Sequence, residues 1–311
     1  MKISSYSLPQ LKKLLNTEGL CLRTGSFVSR IRSSLPFVAD GIASMYADYS
    51  VEPESDFFDF HISLEKPMGV RRWVRPQVQF YVDRLTPFKP LPLDQAFPML
   101  EWGLNWCVST RINNQLTIHA AVVEKNGYAL ILPGDPGSGK STLCAALVNS
   151  GWRLLSDELT MVSLADGRIF PLPRPVSLKN ESIKVIQRFS PDAVISRISH
   201  DTSKGSVAHM RVPTEHVDRS TETAIPGWVV FPKYIAGSPL TLEPLSKGQA
   251  CIRLIENSFN YSILSEKGFE AVTKVIDSSD CFDFSYSVLD DAISEFDDLA
   301  ALKSGESQNA T

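Results

Sequence analysis

Leu130-Ile131-Leu132-Pro133-Gly134-Asp135-Pro136-Gly137-Ser138-Gly139-Lys140-Ser141-Thr142 is the stretch that decides the fold. Its Gly134, Gly139, Lys140 and Ser141 fill every fixed position of G-x-x-x-x-G-K-[ST]. Glycines in this pattern let the backbone curl until successive N–H groups point inward at phosphate oxygens. Lysine at 140 reaches the β- and γ-phosphates, the Ser141 hydroxyl ligates Mg²⁺, and a helix starting at Lys140 adds its positive end. The residues expected around a nucleoside triphosphate are therefore Gly134, Asp135, Pro136, Gly137, Ser138, Gly139, Lys140, Ser141 and Thr142. A glycine turn with no ligand is the competing reading, and it requires neither a strand before the loop nor a helix after it.

Both are expected here. Tyr128 to Pro133 is apolar without alternation, as in a strand covered on both faces. It is joined to Leu116–Glu124, read as one strand, through Asn126-Gly127, the dipeptide that best tolerates a tight hairpin. After the loop, Lys140 to Ser150 has Leu143, Ala146 and Leu147 at helical spacing, with Gly151 as a stop. Trp152 to Leu155 reads as a buried strand ending at Ser156-Asp157-Glu158. Strand, loop, helix, strand is the α/β unit of phosphate-binding folds. Asp157 and Glu158 then lie beyond the carboxyl end of a strand, where ligands of open α/β sheets bind. Two carboxylates beside a triphosphate can divide labour, one holding Mg²⁺ and the other accepting a hydroxyl proton. A solvated acidic turn is the bland alternative.

Residues 1 to about 115 carry strand patterns, the clearest being Phe58, Phe60, Ile62 and Leu64 alternating with Asp59, His61 and Ser63. Phe97, Leu100, Leu104 and Cys107 predict an amphipathic helix between Asp94 and Cys107. Beyond the carboxylates, a second hairpin is expected about Asp166-Gly167, and the polar stretch from about 190 to 226 reads as a surface loop or flap. Trp228–Phe231 and Leu240–Leu245 resume as strands, helices are expected from about Ser246 and Glu266, and Lys303–Thr311 reads as a frayed tail. Phosphoryl transfer also calls for cations around the equatorial oxygens. Candidates are Arg174 and Lys179 in a proline-rich loop, Lys204 in the flap with His209 and Arg211 nearby, and Lys233 after a buried strand; each can equally be a surface charge. His61, His200 and His216 have no spaced partners and receive no role.

The 311 residues are 43% apolar and 21% charged, a globular composition. A net charge of −4 gives no basic footprint, so nucleic acid is not an expected partner. Five dispersed cysteines without a Cys-x-x-Cys pair suggest reduced thiols, and no apolar run is long enough for a signal peptide or a membrane span, so a cytoplasmic location and no membrane partner are expected.

The stretch from His119 to Glu158 resembles the catalytic core of HPr kinase/phosphorylase, and the chain is similar to the HPr-kinase-related proteins. His119 stands fifteen residues before Gly134, as the family's histidine does before its P-loop, and Arg153-Leu154-Leu155-Ser156-Asp157-Glu158 falls where the family has a strand ending in paired aspartates. Glu158 replaces the second aspartate. The resemblance implies an α/β fold with a P-loop core of the HPr kinase / PEP carboxykinase-like type on a mixed sheet, preceded by a mostly β or α+β region. Its domains would be 1–110, accessory or substrate-related; 111–302, the P-loop kinase domain; and 303–311, a disordered tail. The implied function is an ATP- and Mg²⁺-dependent phosphotransferase with an alcohol acceptor, a serine on a peptide or protein. Asp157 would be the base, with Lys140 and His119 close to the transferred phosphate and Ser141, Glu158 and Asp157 near the metal. His119 would serve as a cation or a proton shuttle. A small-molecule kinase and a P-loop ATPase or switch remain alternatives, and a homo-oligomer is compatible with either.

Overall fold

The structure is a computed structural model that describes residues 1–52, 57–69 and 74–309. The N-terminal region is α+β. Helix α1 (Leu8–Asn16) opens on a capping box in which the Ser7 hydroxyl accepts from Gln10 N and Gln10 Oε1 accepts from Ser7 N. Strands β1 (Leu20–Thr24) and β2 (Phe27–Ser33), helix α2 (Pro36–Met45), and strands β3 (Phe60–Glu65), β4 (Gln77–Val82) and β5 (Leu91–Pro92) follow. The sheet has the order β1-β2-β3-β4-β5. In β3, Phe60, Ile62 and Leu64 are buried while His61 and Glu65 face out, as the alternation predicts. Helix α3 (Ala96–Arg111) packs on this sheet so closely that a Cβ on Gly103 would lie 2.0 Å from the Phe80 ring.

Next come β6 (Gln115–Ile118), β7 (Ala120–Lys125), β8 (Tyr128–Pro133), α4 (Lys140–Asn149), β9 (Arg153–Ser156), β10 (Thr160–Ser163), β11 (Ile169–Phe170), β12 (Val176–Lys179) and α5 (Glu181–Phe189). The chain continues through β13 (Ser199–Thr202), β14 (Gly205–Met210), α6 (Thr214–Asp218), β15 (Ile225–Tyr234), β16 (Thr241–Pro244), α7 (Lys247–Glu256), α8 (Tyr261–Leu264), α9 (Glu266–Ser278), β17 (Asp280–Tyr286) and α10 (Leu289–Asn309). The fold is thus α/β, with mixed sheets. The central sheet runs β16-β17-β15-β8-β7-β9, parallel at β17/β15 and β15/β8 and antiparallel elsewhere. Along β8, Leu130 and Leu132 enter one apolar core and Ala129 and Ile131 another on the opposite face. Burial on both faces explains why β8 reads as a continuous apolar run. The first of these cores extends from Ile3 to Ala300 and takes in residues of the N-terminal region as well as the central sheet.

The hairpin turn at Asn126-Gly127 has both φ angles positive, at 56° and 87°. The strand expected from 116 to 124 is interrupted at His119, where the chain leaves the β11-β10-β6 sheet for the central one. The polar stretch from 190 to 226 is not an open loop. It forms the β13/β14 hairpin, which pairs with β12 and buries Val207, Ala208, His209 and Met210. The tail expected to fray from Lys303 is helical through Asn309, with Lys303 bonded to Asp280 at 2.8 Å and Ser304 to Asn126 at 2.9 Å; residues 310–311 lie outside the described residues. Strand β17 was not foreseen. No helix among the described residues is long and apolar enough to cross a membrane.

Candidate functional site

Because β8, β9, β15 and β17 run the same way, their carboxyl ends share one edge of the central sheet. β8 delivers Gly134 there and β9 delivers Asp157. β7 runs oppositely and begins at that edge, and its Ala120 pairs with Pro133, so His119 stands beside the start of the glycine-rich loop. The sequence motifs converge by topology alone.

Within the loop, Gly137 and Gly139 have φ of 90° and 95°. The turn is closed by Ser138 N donating to Asp135 O at 3.2 Å, and it is anchored to β15 by Tyr234 N donating to Ser138 O at 3.0 Å. Gly139 sits against Tyr286, whose hydroxyl donates to Gly139 O at 3.3 Å. Lys140 opens α4, is buried, and donates from its ammonium to Gly134 O. Burial lowers its pKa, opposed by Asp157 and Glu158. The Ser138 hydroxyl is buried without a partner. Asp135, Pro136 and Gly137 are exposed, while Ser141 and Thr142 are half-buried on the first turn of α4.

Asp157 is buried at 6% exposure, and its Oδ2 accepts from Ser177 N at 2.8 Å while Oδ1 has no partner. Burial, seconded by Glu158, pushes its pKa up to about 6, against the pull of Ser177 N–H, Lys179 and the Ser141 hydroxyl. A carboxyl poised this close to neutrality suits proton transfer at physiological pH. Glu158 has the opposite balance: burial raises its pKa, but Lys179, then Lys204 and Arg174, outweigh it and hold the carboxyl below its ordinary value. Its Oε1 lies 3.5 Å from Lys179 Nζ and its Oε2 accepts from the Asn105 amide. Environment thus separates two adjacent carboxylates, one readily protonated and one fixed as an anion.

His119 is half-buried, with its backbone N–H donating to Asn257 O at 2.7 Å and its ring 5.7 Å from Phe259. Burial, then Lys140, lowers its pKa, which favours neutral imidazole. Among the cation candidates, Lys179 and Lys204 gather at Glu158, the latter with its ammonium 5.3 Å from the Trp102 ring centre. Arg174 is turned inward: it is 8% exposed, its Nη1 lies 3.7 Å from Glu101 Oε2, and its Nη2 donates to Asn105 Oδ1. Lys233 is exposed near the end of β15, one residue before the loop contact at Tyr234.

Several groups at the site escaped sequence reading. Glu101, Trp102 and Asn105 come from α3 in the N-terminal region; they are joined by His209, expected near Lys204 in a flap and found on β14. With Asp157, Glu158, Arg174 and Ser177 they line a cavity of about 10 Å³, room for one water-sized group. His209 is 1% exposed with both ring nitrogens unpartnered, and burial pushes its pKa down to about 3. For Glu101, Trp102 and Asn105 the only sequence signal was polarity inside the otherwise apolar α3 pattern.

The residues present fit a Mg²⁺-triphosphate. Ser138 Oγ is a buried donor without a partner beside the loop, and Asp157 Oδ1 is a buried acceptor without one, in electrostatic reach of Ser141 and Lys140. Unpaired buried polar atoms are costly unless a ligand satisfies them.

No family model matches the chain. It is similar to HPr kinase/phosphorylase from three strains of Streptococcus thermophilus, each 28% identical over 80 residues. That stretch is 25% of this chain and 26% of each relative, so the chain spans about a quarter of the length of the curated relatives it matches. The resemblance read from the residues is borne out by that similarity. Among solved structures, the Hpr(Ser) kinase/phosphatase from Coxiella burnetii aligns with 62% of this chain and 98% of its own, at 10% identity and a TM-score of 0.29. A superposition that loose carries no weight for fold or mechanism.

Proposed function

We propose that this chain is an ATP-dependent phosphotransferase that moves the γ-phosphoryl group to a serine hydroxyl on a peptide or protein. The observation that carries the proposal is Asp157: a buried carboxylate with one free oxygen and a pKa raised to about 6, on the same sheet edge as Lys140 and the glycine-rich loop. The similarity to proteins named HPr kinase/phosphorylase supports the same chemistry.

In this reading the loop N–H groups and Lys140 cradle the β- and γ-phosphates. Mg²⁺, when bound, neutralises charge on the phosphate oxygens, and Ser141 and Glu158, with Asp157 beside them, are the residues that would hold it. Asp157 Oδ1 accepts the proton of the attacking hydroxyl. Ser177 N–H keeps Oδ2 engaged, so that Oδ1 is the oxygen left for the acceptor. Neutral His119 lies beside Gly134 and can hydrogen-bond the transferring group or pass on its proton. Lys179 and Lys204 add positive charge where the equatorial oxygens gather negative charge.

Incubation of the chain with γ-labelled ATP and Mg²⁺, with HPr or a cell extract as acceptor, tests the proposal. Label on a polypeptide serine is expected. Label on a metabolite points to a small-molecule kinase, and free phosphate alone to an ATPase or switch; either result removes the protein-serine reading. Unchanged nucleotide affinity in Lys140→Ala would remove the nucleotide site altogether.

A further inference from the structure

Glu101 and Asn105 sit one turn apart on α3, so both project from one face of a helix that belongs to the N-terminal region. From that face runs a continuous polar chain. Tyr46 Oη donates to Glu101 Oε1 at 2.6 Å, and Glu101 Oε2 faces Arg174 Nη1 at 3.7 Å. Arg174 Nη2 donates to Asn105 Oδ1, Asn105 Nδ2 donates to Glu158 Oε2, and Glu158 Oε1 faces Lys179 Nζ at 3.5 Å. Asn105 is the neutral link between a cation and an anion.

The two neighbours settle the orientation of its amide. A carboxylate only accepts and a guanidinium only donates, so Nδ2 must face Glu158 and Oδ1 must face Arg174. The reverse orientation would set oxygen against oxygen and N–H against N–H. Glutamate at 158 has one more methylene than its neighbour Asp157 and therefore one more rotor to fix. The Asn105 amide fixes it.

We propose that Asn105 is a positioning residue of the phosphoryl-transfer site: it orients the Glu158 carboxylate beside Asp157, so that the N-terminal region supplies a working part of the site. This rests on the phosphotransferase reading. Partners that orient a metal-binding group typically change metal affinity or activity by about 10- to 100-fold when removed. A residue that merely ties α3 to the rest of the fold would change stability and leave metal affinity alone.

The test uses the full chain with Mn²⁺ as a paramagnetic probe. Free Mn²⁺ is counted by electron paramagnetic resonance in the presence of a non-hydrolysable ATP analogue, alongside metal-free binding of the same analogue and thermal unfolding. Two variants separate the roles. Asn105→Ala removes both contacts. Asn105→Asp keeps an acceptor for Arg174, which preserves that side of the network, but removes the donor to Glu158. Positioning through Glu158 predicts that both variants weaken Mn²⁺ binding by about 10- to 100-fold while metal-free nucleotide affinity stays within about threefold. Ser109→Ala, on the same helix with its hydroxyl bonded to Trp106 O, should leave both unchanged. If Asn105→Asp binds Mn²⁺ as tightly as the parent chain, the inference is overturned whatever Asn105→Ala does to folding. If the parent chain itself shows no nucleotide-dependent Mn²⁺ binding, the phosphotransferase reading fails and takes this inference with it.

Discussion

Adding a methyl group at either of two glycines in the same loop should have unequal effects, and the difference can be worked from geometry. Gly137 and Gly139 both have φ near +90°, so alanine at either carries a backbone cost of about 1–2 kcal/mol. A Cβ on Gly137 meets nothing within 4 Å. On Gly139 it would lie 2.7 Å from Tyr286 Oη and 3.1 Å from Tyr234 Cβ. Tyr286 cannot swing aside freely, because its ring stacks on Phe284 at 5.3 Å and meets Tyr234 edge-on at 5.7 Å. Its hydroxyl must give up the bond to Gly139 O, a further loss of about 0.5–1.5 kcal/mol. With about 1.4 kcal/mol per factor of ten, Gly137→Ala should weaken nucleotide binding about tenfold and Gly139→Ala several-fold to tenfold more. Removing the offending oxygen leaves the ring carbon at 3.6 Å, an ordinary contact, and takes away the bond to Gly139 O from the outset, so measured against Tyr286→Phe the added Gly139→Ala should cost only about the tenfold that Gly137→Ala costs the parent. Titration of a fluorescent ATP analogue into the four proteins, with Tyr286→Phe alone as reference, measures this. Equal affinities for the two alanine variants, or a Gly139→Ala penalty as large in the Tyr286→Phe background as in the parent, would refute the reasoning.

Three further outcomes are expected. Arg153 and Glu124 are each 4% exposed and ion-paired, and Arg153 Nη1 also donates to Arg219 O at 3.1 Å and Glu222 O at 2.9 Å. Arg153→Met leaves the buried Glu124 carboxylate only Gly127 N–H at 2.6 Å and the more distant Arg219 guanidinium at 3.7 Å, and should cost about 3–5 kcal/mol in denaturant unfolding, with Glu124→Leu in the same chain recovering much of it; a loss below about 1 kcal/mol would contradict the burial argument. Burial raises the Glu101 pKa from 4.5 to about 7, against the pull of Arg174 and Tyr46. The folded chain therefore holds that proton more tightly than the unfolded one, and the resulting stability, up to about 3 kcal/mol, is present below about pH 4.5 and lost as pH rises toward 7. Glu101→Gln should gain stability relative to the parent between pH 5 and pH 8 in urea titrations, and a difference that does not grow with pH would count against it. Asp157→Asn should lower phosphoryl transfer at least 100-fold while nucleotide binding changes little, and near-normal turnover would exclude Asp157 as the base.

Sequence alone determined what is local in the chain. The loop from Gly134 to Thr142, the hairpin at Asn126-Gly127, the helix after Lys140 and the strand before Asp157 each depend on neighbours a few residues away, so composition and spacing disclose them. The β13/β14 hairpin was read as a loop because its half-polar strands have no burial pattern until β12 lies beside them. Tertiary structure alone decided how the charges at the site are spent. Asn105 meets Glu158 across 53 residues, and Arg174 meets Asn105 across 69, with Arg174 turned into the interior. A polar side chain carries no local mark of a partner that far away, and a pKa is set by burial and neighbouring charge that exist only once the sheets are packed. Asp157 and Glu158 are adjacent acids in the sequence; the fold makes one of them readily protonated and the other a fixed anion, because burial and the neighbouring Glu158 charge raise the first while Lys179 and Lys204 hold the second charged.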